Sequence, residues 1–221
     1  MPSKALKLFE DKLITEVDRL VDTHAYLNQH HYNGAQGRRG LGHITRSGIV
    51  MLCAAWERYI ELVVPETVTH LANRAASPKE LPKATQKELA KHVKGHKHEL
   101  KALELAGAGW RAVYQALAID QAGNLNTPKS TILDPLFEKL LGIETLSDCW
   151  SVGRGAVNEF VTTRGGIAHT GSAATYVKIE TLRSSRDLIA KTVCETDNQL
   201  SEFVKELVPN ASVPWRRRRL S

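Results

Sequence analysis

The chain has 221 residues, 42% hydrophobic and 24% charged, with a formal net charge of +6. That length and composition suit one domain with a proper core and exclude a disordered chain. Four of the six charges sit in Arg216 to Arg219, so the body carries only +2 and favours polyanionic partners weakly. Cys53, Cys149 and Cys194 are odd in number and far apart, with no CxxC. They exclude a disulfide framework and read as buried thiols of a reducing compartment. The N-terminus lacks the apolar region of a secretory signal. The longest apolar run, Ile49 to Trp56, is too short to span a bilayer. A cytoplasmic protein with no membrane partner is expected.

Helical periodicity runs through the chain. Leu6, Phe9, Leu13, Val17, Leu20, His24 and Leu27 recur at three and four residues and predict a first helix from about Ser3 to His30. A Gly-rich basic loop, Asn33 to His43, follows. From Ile44 the apolar residues Ile49, Val50, Leu52, Cys53, Trp56, Tyr59, Ile60 and Val63 lie on more than one side, as in a buried central helix. Pro65 is expected to kink or end it, with a further helical segment to about Ala76. Residues 77–130 read as a helical insertion. It has turns at Ser77-Pro78 and Pro82, a strongly basic stretch from Lys83 to His98, a helix from Leu100 to Ala118, and a loop from Gly123 to Pro128. Ser130 opens a helix that Gly142 stops. Ser147 is the expected N-cap of the next helix. A last amphipathic helix runs from Ala173 to about Val208, where Pro209 ends it. The expected fold class is all-α, a helical bundle forming a single domain over residues 1–208. A basic tail, 209–221, either grips phosphate or is a solvated end.

The sequence Arg164-Gly165-Gly166-Ile167-Ala168-His169 carries the most chemistry. Arg is a fork of donors for phosphate, and His exchanges a proton near neutral pH. Together they suffice to cut RNA without a metal or cofactor, because the RNA supplies its own 2′-hydroxyl nucleophile. Spacing alone decides nothing, since Arg19/His24 and Arg38/His43 share it. On a helix a five-residue step turns about 140°, which separates Arg19 from His24. Gly165 and Gly166 are able to break a helix, so the motif is expected at a helix-to-helix junction where Arg164 and His169 both face one cleft. A Gly-Gly turn with a capping histidine stands as the alternative. Arg38 and His43 belong to the Gly-rich loop, which is a flexible surface loop or a support beside the active site; it is not a P-loop. Glu57 is a charge within an apolar stretch and needs a partner, either for structure or to orient Arg164 or His169. His92, His96 and His98 lie among lysines, which opposes a divalent cation. They read as a solvated basic face or an RNA contact.

Several segments resemble one family: Ser47 to Tyr59 in the second helix, Leu125-Asn126-Thr127-Pro128, Leu141-Gly142-Ile143, and Arg164 to His169. From about residue 40 to 207 the chain resembles the HEPN superfamily of small α-helical proteins, many of them metal-independent ribonucleases, and more narrowly the RiboL-PSP-type HEPN proteins. The resemblance implies that Arg164 and His169 are the catalytic pair of an Arg-x4–6-His motif. It also implies a homodimer that brings two copies of the motif into one cleft. A polar residue, often Asn, commonly follows the Arg in the family; here it is Gly165. Glu57, Arg38, His43 and Arg46 are the candidate supporting or substrate-binding residues. The expected activity is endoribonucleolytic, in toxin–antitoxin or phage-defence biology. RNA and an antitoxin or regulatory protein are the expected partners. The alternative is a non-catalytic module that binds RNA or protein.

Overall fold

The computed structural model describes residues 1–31, 40–170, 176–207 and 213–218. Eight α-helices and no strand occur among the described residues. They are α1 (Lys4–Leu8), α2 (Ile14–His31), α3 (Gly42–Arg74), α4 (Lys83–Lys94), α5 (Trp110–Gly123), α6 (Ser130–Leu141), α7 (Arg154–Thr170) and α8 (Ile179–Leu207). A π-helical turn, Phe9–Leu13, makes α1 and α2 one continuous rod. The all-α class read from periodicity is the fold observed.

The bundle is built around α3. Ile49, Leu52, Trp56, Tyr59, Ile60, Val63, Val64, Val68 and Leu71 are all sealed from solvent. A helix apolar on every side must be surrounded, and α1, α2, α5, α7 and α8 all pack on it. Pro65 neither ends α3 nor separates it from a further segment. The proline withholds one N–H from the helix, but Val63, Val64, Thr67 and Val68 are fully buried on either side, and that packing carries the helix through. The contact of α3 with α8 is close at Gly48, where an added Cβ would lie 2.5 Å from Leu182 Cδ2.

Within residues 77–130, α5 belongs to the same core, with Trp110, Tyr114, Leu117 and Ala118 buried beside α3. It starts at Trp110 rather than Leu100, because Glu99–Leu105 is a 3-10 turn and Gly107 takes a left-handed φ of 58°. Gly142 caps α6 with φ 76°, as its position after the apolar run predicts. Ser147 is not the N-cap of α7. Its amide and hydroxyl bind Asp134 at 2.8 and 2.7 Å, and the chain turns at Gly153 before α7 begins at Arg154. The last helix starts later than expected, at Ile179.

Over its described part, Val213–Arg218, the C-terminal segment is anchored at Trp215, while the side chains of Arg216, Arg217 and Arg218 stay exposed. Trp215 is buried, and its indole N–H donates to the Asp197 carbonyl at 3.1 Å. The Arg216 amide donates to the Met1 carbonyl at 2.9 Å. Arg217 pairs with Glu202 at 3.1 Å and Arg218 with Glu10 at 3.2 Å. One buried tryptophan supplies enough apolar area to hold a short strap in place, and the first residues of the chain meet the strap there. Beside it lies the Asp197 carboxylate, fully buried and accepting hydrogen bonds from the Ser3 hydroxyl and amide. Burial pushes its pKa up to about 6, against the hydrogen bonds that favour the charge.

Two outcomes are expected in urea unfolding. Gly48→Ala costs about 1–3 kcal/mol by overpacking, and this loss disappears when Leu182→Ala opens the space. For Asp197, the folded state binds the proton more tightly than the unfolded chain. The penalty of burying the charge is therefore fully present above about pH 6 and is relieved as pH falls through that value. Asp197→Asn removes this gain in stability between pH 7.5 and 5, which the parent retains.

Candidate active site

Local sequence pins α7 in two places before the motif begins. Trp150 donates from its indole N–H to the Thr196 hydroxyl at 2.9 Å, and the Ser151 amide donates to Glu195 at 3.0 Å, so the approach to α7 is tied to α8. One turn into α7, the Asn158 side chain accepts from the Ser130 amide at 2.8 Å and donates to the Ser130 hydroxyl at 2.9 Å. Ser130 follows closely on Pro128, whose carbonyl accepts the Trp56 indole N–H at 3.0 Å. The central helix, the Leu125–Pro128 loop and α7 are thus linked through three side chains. Val157, Phe160, Val161 and Ile167 bury the inner face of α7.

The helix does not break at Gly165-Gly166. It continues to Thr170, and the motif lies within it rather than at a junction. Two glycines cost about 1 kcal/mol each relative to alanine in a helix. The burial of Val161 and Ile167 on either side offsets this. The helical path imposes a turn of about 140° and about 7.5 Å of rise between Arg164 and His169. Arg164 is half-buried, while His169 is exposed. One chain therefore does not turn both groups to one face, contrary to the expectation from a glycine hinge.

Arg164 lies close enough to α3 to govern its charge. Burial pushes the Glu57 carboxyl above its ordinary range, and the Arg164 guanidinium pulls it back. Cys53, one turn earlier, feels the same two influences, and burial wins: its thiol is pushed up to about 11. Arg164 Nε and Glu57 Oε2 are both shielded from solvent, and neither has a hydrogen-bond partner. The pair is coupled through space without being clasped, leaving a donor and an acceptor uncommitted. Arg46, Cys53 and Glu57 fall within about 40° of one another around α3, so they form one polar stripe along the central helix.

Arg46 marks the other end of that stripe. A Cβ on Gly42 would meet Arg46 Nη1 at 3.1 Å and the Tyr176 ring at 3.3 Å, so both side chains close over Gly42. The Thr45 hydroxyl donates to the Val177 carbonyl at 2.7 Å and fixes the chain where it re-enters after the motif helix. His43 is exposed, with Nδ1 3.0 Å from the Gly40 carbonyl oxygen. Arg38 lies outside the described residues. Arg19 and His24 form no site. Arg19 is exposed in an ion pair with Glu16, while His24 is buried and its pKa is lowered by that burial. Two clefts, of about 530 and 990 Å³, lie away from the stripe, one along α5 and α6 and the other beside Trp215.

Sequence reasoning missed Cys53 and Asn158 as neighbours of the motif. Cys53 stands four residues before Glu57, a spacing that places both on one helical face. Asn158 had no such signal, because its partner Ser130 is remote in sequence. Among protein-family models, that of RiboL-PSP-HEPN matches residues 11–202. No curated protein and no solved structure matches the chain.

Removing one member of a shielded charge couple strands the other. Arg164→Ala and Glu57→Ala are each expected to lower stability by about 1–3 kcal/mol. The double variant loses less than the sum, measured by a urea double-mutant cycle. Strict additivity would mean that the two groups do not sense each other.

Proposed function

The chain belongs to the RiboL-PSP-HEPN family, and we propose on that premise that it is a metal-independent endoribonuclease of the toxin–antitoxin or phage-defence kind. The observation that carries this reading is Arg164, a half-buried cation within electrostatic reach of Glu57 on the central helix, with one shielded donor uncommitted. Such a group is preorganised to receive negative charge that develops on a substrate phosphate. His169, exposed on the same helix, is accessible to RNA.

In the proposed reaction His169 takes the proton from the ribose 2′-hydroxyl. The 2′-oxygen forms a bond to phosphorus, and Arg164 stabilises the equatorial oxygens of the phosphorane. The bond to the 5′-oxygen breaks, and a protonated imidazole delivers the proton this oxygen needs. The products are a 2′,3′-cyclic phosphate and a 5′-hydroxyl. The turn of about 140° between Arg164 and His169 argues for a homodimer in which two α7 helices meet and a second His169 acts as the acid. Gly165 and Gly166 support that contact. A Cβ on either meets no atom within 4 Å, so there is room for a second α7 to approach the backbone closely. Arg46 and His43 border the approach, with Glu57 as the residue that positions Arg164. An antitoxin or regulatory protein would restrain the activity.

A second reading, a binding module without turnover, draws on Gly165. Where the family commonly carries a polar residue after the Arg, this position offers no side-chain hydrogen bond.

Cleavage of total RNA by purified protein in excess EDTA separates the two. The expected result is cleavage that falls at least about 100-fold in His169→Ala and in Arg164→Ala, with a bell-shaped pH profile in the parent. A parent that binds RNA but cleaves no better than His169→Ala would put the binding module ahead.

A further inference from the structure

The positive charge of this chain is not spread over its surface. Residues 79–101 hold seven lysines against three glutamates, a net +4. The four tail arginines carry another +4 of the total +6, so everything else is net −2. The tail is in part neutralised internally, with Arg217 on Glu202 and Arg218 on Glu10. In the lysine-rich segment Lys101 pairs with Glu104 at 2.6 Å, but the lysines of α4 have no such partner among the ion pairs of the described residues. Lys83, Lys87, Lys91 and Lys94 are all exposed on α4 and fall within about 80° of one another around its axis. The opposite face, Thr85, Leu89 and Val93, is buried. None of the ion pairs among the described residues engages these four lysines. Two of the nearby carboxylates are occupied elsewhere: Glu88 accepts from Gln121 at 2.8 Å, and Glu80 accepts from the Ala76 amide at 2.8 Å. Lys97, His96 and His98 extend the same exposed surface past the helix end.

Four unneutralised cations in one row repel one another, an arrangement that a polyanion relieves. The row is about 16 Å long, enough to lie along several consecutive backbone phosphates. It presents no aromatic side chain and no fork of donors, so it suits backbone phosphate and not a particular base. α6 touches both α4 and α7, so the row lies one helix away from the motif helix. We infer that the lysine face of α4 is a sequence-independent docking surface for the RNA backbone, outside the Arg164–His169 site, which holds a substrate strand while its scissile phosphate reaches the motif. This rests on RNA being the substrate class.

The test is fluorescence anisotropy with a labelled single-stranded RNA of about twenty nucleotides, in a His169→Ala background so that the probe survives, over a salt series. In the variant with Lys83, Lys87, Lys91 and Lys94 all changed to Gln, affinity is expected to fall about 10- to 100-fold near physiological salt. The slope of log K against log salt should shrink by about 0.7 for each phosphate that is no longer neutralised. Gln and Arg share the helix propensity of Lys, and the corresponding Lys→Arg variant should bind as the parent does. A charge-matched control changes Lys7, Lys12, Lys191 and Lys205 to Gln and should retain most of the affinity. The inference is overturned if the α4 variant binds like the parent, if the control loses as much, or if the α4 face binds anionic vesicles but not RNA. Cleavage assays with His169 intact keep the two readings apart. Unchanged cleavage and binding in the α4 variant would sink the docking surface and leave the ribonuclease standing. Lysine-dependent binding without cleavage in the parent would do the reverse.

Discussion

The hydrogen bond from the Trp56 indole to the Pro128 carbonyl holds this structure in register. Trp56 is wholly buried, stacked on Tyr59 at 5.8 Å and met edge-on by Trp150 at 5.9 Å. Its N–H must be satisfied inside the core, and the acceptor is a main-chain carbonyl brought there by a loop. That requirement fixes the Leu125–Pro128 loop against the central helix. The loop delivers Ser130 to Asn158, and Asn158 sets the rotation of α7 and so the side from which Arg164 approaches Glu57. A change at Trp56 would be felt at the motif although the two are far apart in sequence.

The same rigidity explains why two glycines do not hinge. A helix interior tolerates Gly when neighbouring residues are buried strongly enough to offset its entropy, and Val161 and Ile167 are. What the glycines retain is bareness. A Cβ on Gly165 or Gly166 would meet no atom within 4 Å, so the backbone of α7 is open there.

Charge in this chain is sorted by the fold. The tail arginines look in sequence like the natural phosphate grip, yet Trp215 straps their backbone to α8 and two of them meet glutamates. The lysines of α4 look ordinary by comparison, but the helix aligns them in one row with nearby carboxylates drawn elsewhere. Attraction for a polyanion depends on the local, uncompensated density of charge, which net charge does not report.

Composition and periodicity determined the all-α class, the buried central helix and the Gly142 stop, because these rest on local spacing that side chains in a helix express directly. The path of the chain at Pro65 and at Gly165-Gly166 is not legible in the sequence. Propensity predicts a break at each, whereas burial of the flanking residues overrides it. Ser147 likewise has the chemistry of a cap but is claimed by Asp134, thirteen residues away. The partner of Glu57, the pinning of α7 through Asn158 and the docking of Trp215 were decided only by tertiary structure. Each joins residues distant in sequence, and no local pattern encodes which of many polar or apolar groups will meet once the core closes.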